Sequence, residues 1–162
     1  KLGENMTLRR VVHMRSEDAI ASYIHGGRIG VLVAYQGGDA ELGRDLALHI
    51  AAGNPSYLDE DSVSAEALEA EKRVLMAQAE GSGKPIEIIE KMVAGRLRKF
   101  LAEITLVGQP FVKDPDLTVQ KLLASRSAKV INYCRLAVGE GIEKEESNFA
   151  DEVAAQAAAA AS

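Results

Sequence analysis

Residues 19–35 read Ala19-Ile20-Ala21-Ser22-Tyr23-Ile24-His25-Gly26-Gly27-Arg28-Ile29-Gly30-Val31-Leu32-Val33-Ala34-Tyr35. Two apolar runs, Ala19–His25 and Arg28–Tyr35, flank a pair of glycines. Ile29, Val31, Val33 and Tyr35 recur at period two, so they share one face of a strand. Gly26-Gly27 supplies the positive φ angles of a tight hairpin turn. The stretch therefore predicts two antiparallel strands with His25 at the tip.

Upstream, Leu8–Met14 alternates loosely and reads as a further strand, with Leu8, Arg10, Val12 and Met14 on one parity. Downstream, Asp39 is a suitable N-cap for a helix over AELGRDLALHIAA. Leu42, Leu46, His49, Ile50 and Gly53 trace its apolar stripe, and Gly53-Asn54-Pro55 ends it as a C-cap glycine and a proline stop.

Residues 64–104 differ in character. Ser64 caps a helix whose stripe is Ala65, Leu68, Lys72, Leu75 and Ala79. Gly81-Ser82-Gly83 breaks it, and Pro85 suits the first position of a second helix. That helix carries Ile86, Ile89, Val93, Leu97, Phe100 and Ile104 on one stripe. Two helices roughly 30 Å long joined by a glycine-rich loop predict an antiparallel hairpin. Its narrow apolar seam is a coiled-coil feature, so the hairpin is expected to project from the body.

The chain returns through Ile104–Val112, read as an extended link in which Phe111 plugs the core and Val112 points outward. Thr118 caps a short helix, and Lys129–Val138 reads as a last strand with Val130, Cys134, Leu136 and Val138 on one parity. The fold class predicted is α+β: a small antiparallel sheet with helices on one face, an inserted helical hairpin and a C-terminal helix. Residues 1–58 and 104–144 make the core subdomain, 59–103 the hairpin, and 145–162 an acidic helical tail.

Composition bounds the function. Of 162 residues, 47% are apolar and 27% charged, which supports a packed core. The net charge is −5, and there are three Phe, four Tyr and no Trp, which argues against a dedicated nucleic-acid binder. The longest apolar stretch, Ile29–Tyr35, falls far short of the ~20 residues of a membrane helix. A lone cysteine, Cys134, suits a reducing cytoplasm and reads as a small buried hydrophobe. The chain opens on Lys1 rather than methionine, so an N-terminal part is expected to precede it.

Catalytic motifs are not evident. Gly81-Ser82-Gly83-Lys84 fails as a phosphate loop, because Gln78 stands where the first glycine belongs and Pro85 where a Ser or Thr belongs. The histidines, His13, His25 and His49, lie on separate elements without metal-ligand spacing. His49 reads as a hydrogen-bonded residue at the core edge, and His25 as an exposed contact. No enzyme activity, metal or cofactor is expected. An RNA- or ribosome-associated module is the alternative, with the basic second hairpin helix as its footprint.

Several rigid runs keep a recognisable order: KLGEN with RRV at the start, Tyr23–Val33, Asp61-Ser62-Val63-Ser64, Ser82-Gly83-Lys84-Pro85, Glu90-Lys91-Met92-Val93 with Gly95-Arg96, Gly108-Gln109-Pro110-Phe111-Val112, and Val138–Lys144. In these the chain resembles the C-terminal portion of bacterial elongation factor Ts, the guanine-nucleotide exchange factor of elongation factor Tu. The resemblance implies that the sheet body binds the third domain of Tu, that the hairpin is a dimerisation element giving a homodimer, and that the tail reaches the GTPase domain. It places Tu contacts at Leu2, Gly3, His25 with Gly26, Val112 and Lys113, with Phe149 in the tail. Lys113 departs from the methionine usual there. Leu68, Leu75, Ile89 and Val93 fall on the dimerisation hairpin. The N-terminal helical domain and the Thr-Asp-Phe-Val motif that family members insert near the Mg²⁺ of Tu are expected to be missing.

Overall fold

The computed structural model describes residues 8–80, 83 and 85–141. Strand β1 (Ala19–His25) turns back into β2 (Ile29–Gln36), and helix α1 (Ala40–Gly53) follows. A 3₁₀ turn (Glu60–Ser62) leads into α2 (Ala65–Glu80) and α3 (Ile86–Ile104). The chain closes with β3 (Pro110–Phe111), β4 (Asp114–Thr118), α4 (Val119–Ser125) and β5 (Lys129–Ala137). One antiparallel sheet has the order β1-β2-β5, and β3 and β4 form a second, two-stranded one. The fold is α+β.

The β1–β2 turn has the predicted chemistry. Gly26 and Gly27 have φ of +56° and +68°, and the Arg28 amide donates to the His25 carbonyl at 3.0 Å. With Tyr23 opposite Val31 and Ala21 opposite Val33, one sheet face is set. Helix α1 covers that face. Its N-cap is Asp39, whose carboxylate accepts from the Leu42 amide at 2.8 Å, and Leu42, Leu46, Ala47 and Ile50 pack on Val31, Val33 and Tyr35. Gly43 lets the helix settle on the sheet, since a Cβ there would overlap the Tyr35 ring. Leu106, Phe111, Val119, Leu123 and Val130 complete this core.

The structure departs from the expectations at several places. Residues 8–16 form no strand. Leu8 and Val11 are 83% and 74% exposed, and the segment is held instead by Arg9, which donates to the Glu140 and Gly141 carbonyls. The left-handed residue ending α1 is Asn54 (φ +44°), not Gly53. Gly53 is required by a close approach, because a Cβ there would stand 2.6 Å from Gln109 Oε1. Residues 104–112 are no extended link: Ile104 ends α3, a turn follows, and Pro110–Phe111 pairs with Asp114–Thr118 as β3 and β4. Pro85 is the N-cap of α3, its carbonyl accepting from Ile88 and Ile89, rather than the first helical residue.

Strand β5 also departs from the expected parity. Its register against β2 shifts at Ala34/Tyr35, with Tyr35 opposite Val130 and Ala34 opposite Asn132. Ile131 is the extra residue of a bulge, and a one-residue slip exchanges the faces. Val130 therefore joins the core with Tyr133, while Cys134 and Leu136 line a hollow on the outer sheet face with Val12, Ser22 and Ile24. Cys134 is half-buried there rather than a core residue.

Helices α2 and α3 pack on one another around Leu75, Ala79, Ile89 and Val93, with Met76 and Leu97 at the margin. Ser64 caps α2 through the Ala67 amide at 3.2 Å. Leu68 is half-buried and outside this cluster, and Ile86 is exposed rather than on the seam. Backbone bonds hold the base of the pair: Ser56 and Tyr57 donate to the Ile104 carbonyl, and Leu106 donates to that of Tyr57.

Candidate functional site

Alternation along β1 puts Tyr23 and His25 on the face toward α1, at the end of the sheet where α1 finishes. The Tyr23 hydroxyl lies 3.1 Å from Nδ1 of His25, and the rings are 6.1 Å apart, centroid to centroid. This contact steadies an otherwise exposed imidazole. Ala51 and Ala52 offer no bulk beneath it, so a hollow of about 410 Å³ opens between Tyr23, His25, Ile29, Leu48 and Ala52. Arg135 on β5 closes one side. Its Nε donates to the Ala51 carbonyl at 3.3 Å, and its Nη1 lies 3.7 Å from Glu140.

A second hollow of about 340 Å³ lies on the other side of Ala52, between His49, Gly53, Gln109, Pro110 and Val112. Phe111 is driven into the core beside the His49 ring. The next residue must then face outward, and Val112 is 42% exposed. Lys113 follows, exposed and paired with Asp45 on α1.

Two stretches distant in the sequence, the β1–β2 tip and the loop after β3, thus flank one strip across the end of α1. His25 and Val112 stand at its two ends, with Ala52 shared between the hollows. Gly26 completes the tip at positive φ and has open space where a Cβ would stand. Lys113 adds a cation at the rim. Leu2, Gly3 and Phe149, with the predicted tail 145–162, lie outside the described residues. On the helical pair, Leu75, Ile89 and Val93 are drawn together and Leu68 is not.

Sequence reasoning singled out the ends of the strip but not its floor. Tyr23, Ala51, Ala52, Asp45, Gln109 and Arg135 carry no site assignment from the sequence. The i, i+2 relation of Tyr23 to His25 was an available signal. The alanine pair had none of its own, because small residues at a helix end read as ordinary helix formers. Among the described residues there is no group of three or more His, Cys, Asp or Glu able to hold a metal, and no helix long and apolar enough to cross a membrane.

An antiparallel sheet braced by one helix, interrupted by a self-packed helical pair and carrying an exposed strip over the helix end, is an α+β module with a surface site. Comparison with known proteins makes the class specific. The family described as Elongation factor TS matches residues 1–140. Elongation factor Ts of Methylococcus capsulatus is 62% identical over 157 residues, covering 96% of this chain and 54% of that protein. That of Hydrogenovibrio crunogenus is 60% identical over 159 residues, covering 98% of this chain and 54% of the relative. The chain belongs to the elongation factor Ts family, and it spans about half the length of the curated relatives it matches.

Proposed function

We propose that this chain docks on elongation factor Tu through the strip between His25 and Val112, as part of a cytoplasmic guanine-nucleotide exchange factor of translation elongation. One observation carries this reading. Positions that the family resemblance assigns to Tu contact, taken from separate motifs, line two hollows that share Ala52. The strip is shallow, with an exposed valine, an oriented imidazole and a rim lysine, which suits a protein surface.

The work is linkage rather than covalent chemistry. A factor that binds nucleotide-free Tu better than nucleotide-bound Tu must raise the nucleotide dissociation constant by the same factor. Contacts that do not distinguish the two states of Tu shift nothing. In this reading the sheet body docks, residues 145–162 reach the GTPase domain, and residues 59–103 form a unit of their own that associates with a second copy. Exposed Val74, Ile86 and Ile88 support that last assignment, since they offer apolar surface beyond the buried seam.

The 162 residues contain no Thr-Asp-Phe-Val sequence, the motif that the resemblance sets beside the Mg²⁺ of Tu. The chain by itself should therefore bind Tu yet speed GDP release only weakly. Release of fluorescent GDP from Tu, with and without excess chain, alongside a pulldown, measures both. Acceleration comparable to an intact factor would contradict the division of labour, and an empty pulldown would contradict the docking.

A further inference from the structure

The buried imidazole of His49 sits between the two ends of the strip and uses both ring nitrogens. It is 2% exposed. The Val112 amide lies 3.2 Å from Nδ1, and Nε2 lies 3.0 Å from Gln109 Oε1. A backbone N–H has only a proton to give. Nδ1 must therefore be bare, and the single ring proton sits on Nε2, donating to Gln109. The Gln109 amide is oriented independently, because its Nε2 donates to the carbonyls of Gly53 at 3.2 Å and Glu103 at 2.7 Å. That leaves Oε1 as the acceptor for the ring. Two separate constraints, one at each nitrogen, select the same neutral tautomer.

The bond to Val112 matters for where the loop goes. Phe111 is fixed by the core, but the chain's direction after it depends on what holds the next peptide. His49 holds that peptide from α1, 63 positions earlier. The loop is also closed by the pairing of Phe111 with Asp114 across β3 and β4, which leaves the Val112 and Lys113 peptides in the turn, and by Lys113 to Asp45, one helical turn before His49 and at a solvent-exposed lysine, where ion pairs are weak.

We propose that His49 is the positioning residue of the docking loop: its neutral Nε2–H form anchors the Val112 amide and so sets where Val112 and Lys113 meet the partner, and its protonation releases the loop and weakens docking. This rests on the docking reading above. Protonation would set an Nδ1–H against the Val112 N–H, donor against donor. The charged groups around the ring are few. Asp45 on α1 is engaged by Lys113 of the loop, and Glu103 at the end of α3, which lines the same hollow, lies 3.9 Å from Lys99. From β3 comes only the uncharged Phe111 ring, 5.9 Å away. The Gln109 bond favours the cation, but burial outweighs it and holds His49 below the ordinary 6.5.

The sign follows. Once released, the imidazole regains its ordinary affinity for protons, so the released state binds the proton first as pH falls. The anchored state is fully favoured above pH 6.5 and loses ground progressively below it.

The test uses the 162-residue chain. Long-range ¹H–¹⁵N spectra of the imidazoles at pH 7.5 should show His49 Nδ1 unprotonated. His49→Leu should speed Val112 amide exchange at least tenfold and weaken Tu binding about fivefold. His49→Asn, which keeps an acceptor near Nδ1 and does not titrate, should retain most of both. Relative to intrinsic exchange, wild-type Val112 protection should fall between pH 7 and 5.5, and the Asn variant's should not. An Nδ1-protonated ring, or unchanged Val112 protection in His49→Leu, overturns the anchor. Should the Leu variant fail to fold, the wild-type and Asn pH series decide, and protection that stays flat in the wild type refutes the proposal. A wild-type chain that does not bind Tu refutes the docking half whatever the spectra show, so the two failures are distinguishable.

Discussion

Leu46→Ala should cost about 3–4 kcal/mol of stability, in the range of leucine truncations at fully buried sites. Leu46 is 0% exposed at the centre of α1, among Val33, Ile50, Leu106 and Val119. It sits where α1, the sheet and the turn after α3 converge, so neighbours fixed on three sides cannot close the void without moving backbone. At roughly 2–4 °C per kcal/mol for a chain of this size, thermal unfolding followed by circular dichroism should shift down by about 10 °C. A shift below about 2 °C would mean that Leu46 is not at the centre of the body.

Removal of residues 60–103, with a short glycine-rich linker rejoining the ends, should leave the sheet body folded. Among the described residues, the buried seam of α2 and α3 shares none with the core under the sheet. The ends to be joined are close, because the amides of Ser56 and Tyr57 both donate to the Ile104 carbonyl. Closure entropy changes only slowly with loop length. The deletion does remove two acceptors used by the body, the Leu101 carbonyl under Thr105 and the Glu103 carbonyl under Gln109. Melting should therefore fall by a few degrees without losing cooperativity. Sedimentation velocity should show reduced self-association, and Tu binding should persist. An unfolded product would show that the helical pair is part of the main core.

What the sequence made legible was what local chemistry specifies. Gly26-Gly27 demanded a hairpin because consecutive positive φ angles are open to few other pairs, and Asp39 and Thr118 marked helix starts through their side-chain acceptors. The seam from Leu75 to Val93 followed from helical period alone. The misread features depend on distant partners. Leu8–Met14 has strand-like content but pairs with no strand; Val12 lies against the outer sheet face, and arginine contacts to residues 140 and 141 decide the segment's course. The β5 bulge is fixed by β2, so parity within β5 could not show it. Asp114-Pro115-Asp116 carries no strand signal, because both residue types are depleted in strands, yet a two-stranded edge accepts them. The strip itself needs β1, α1 and the loop after β3 together, and only its two ends carried motifs.

The most direct test of the account is the affinity of purified elongation factor Tu for the wild-type chain and for His25→Ala. His25 is exposed beyond the core and Gly26 beside it has open space, so truncation should leave the melting temperature nearly unchanged. The wild type should bind, and His25→Ala should weaken binding by about 1–2 kcal/mol, the range of a modest interface contact. A wild-type chain that fails to bind Tu, or a His25→Ala chain with full affinity and lowered stability, would contradict it.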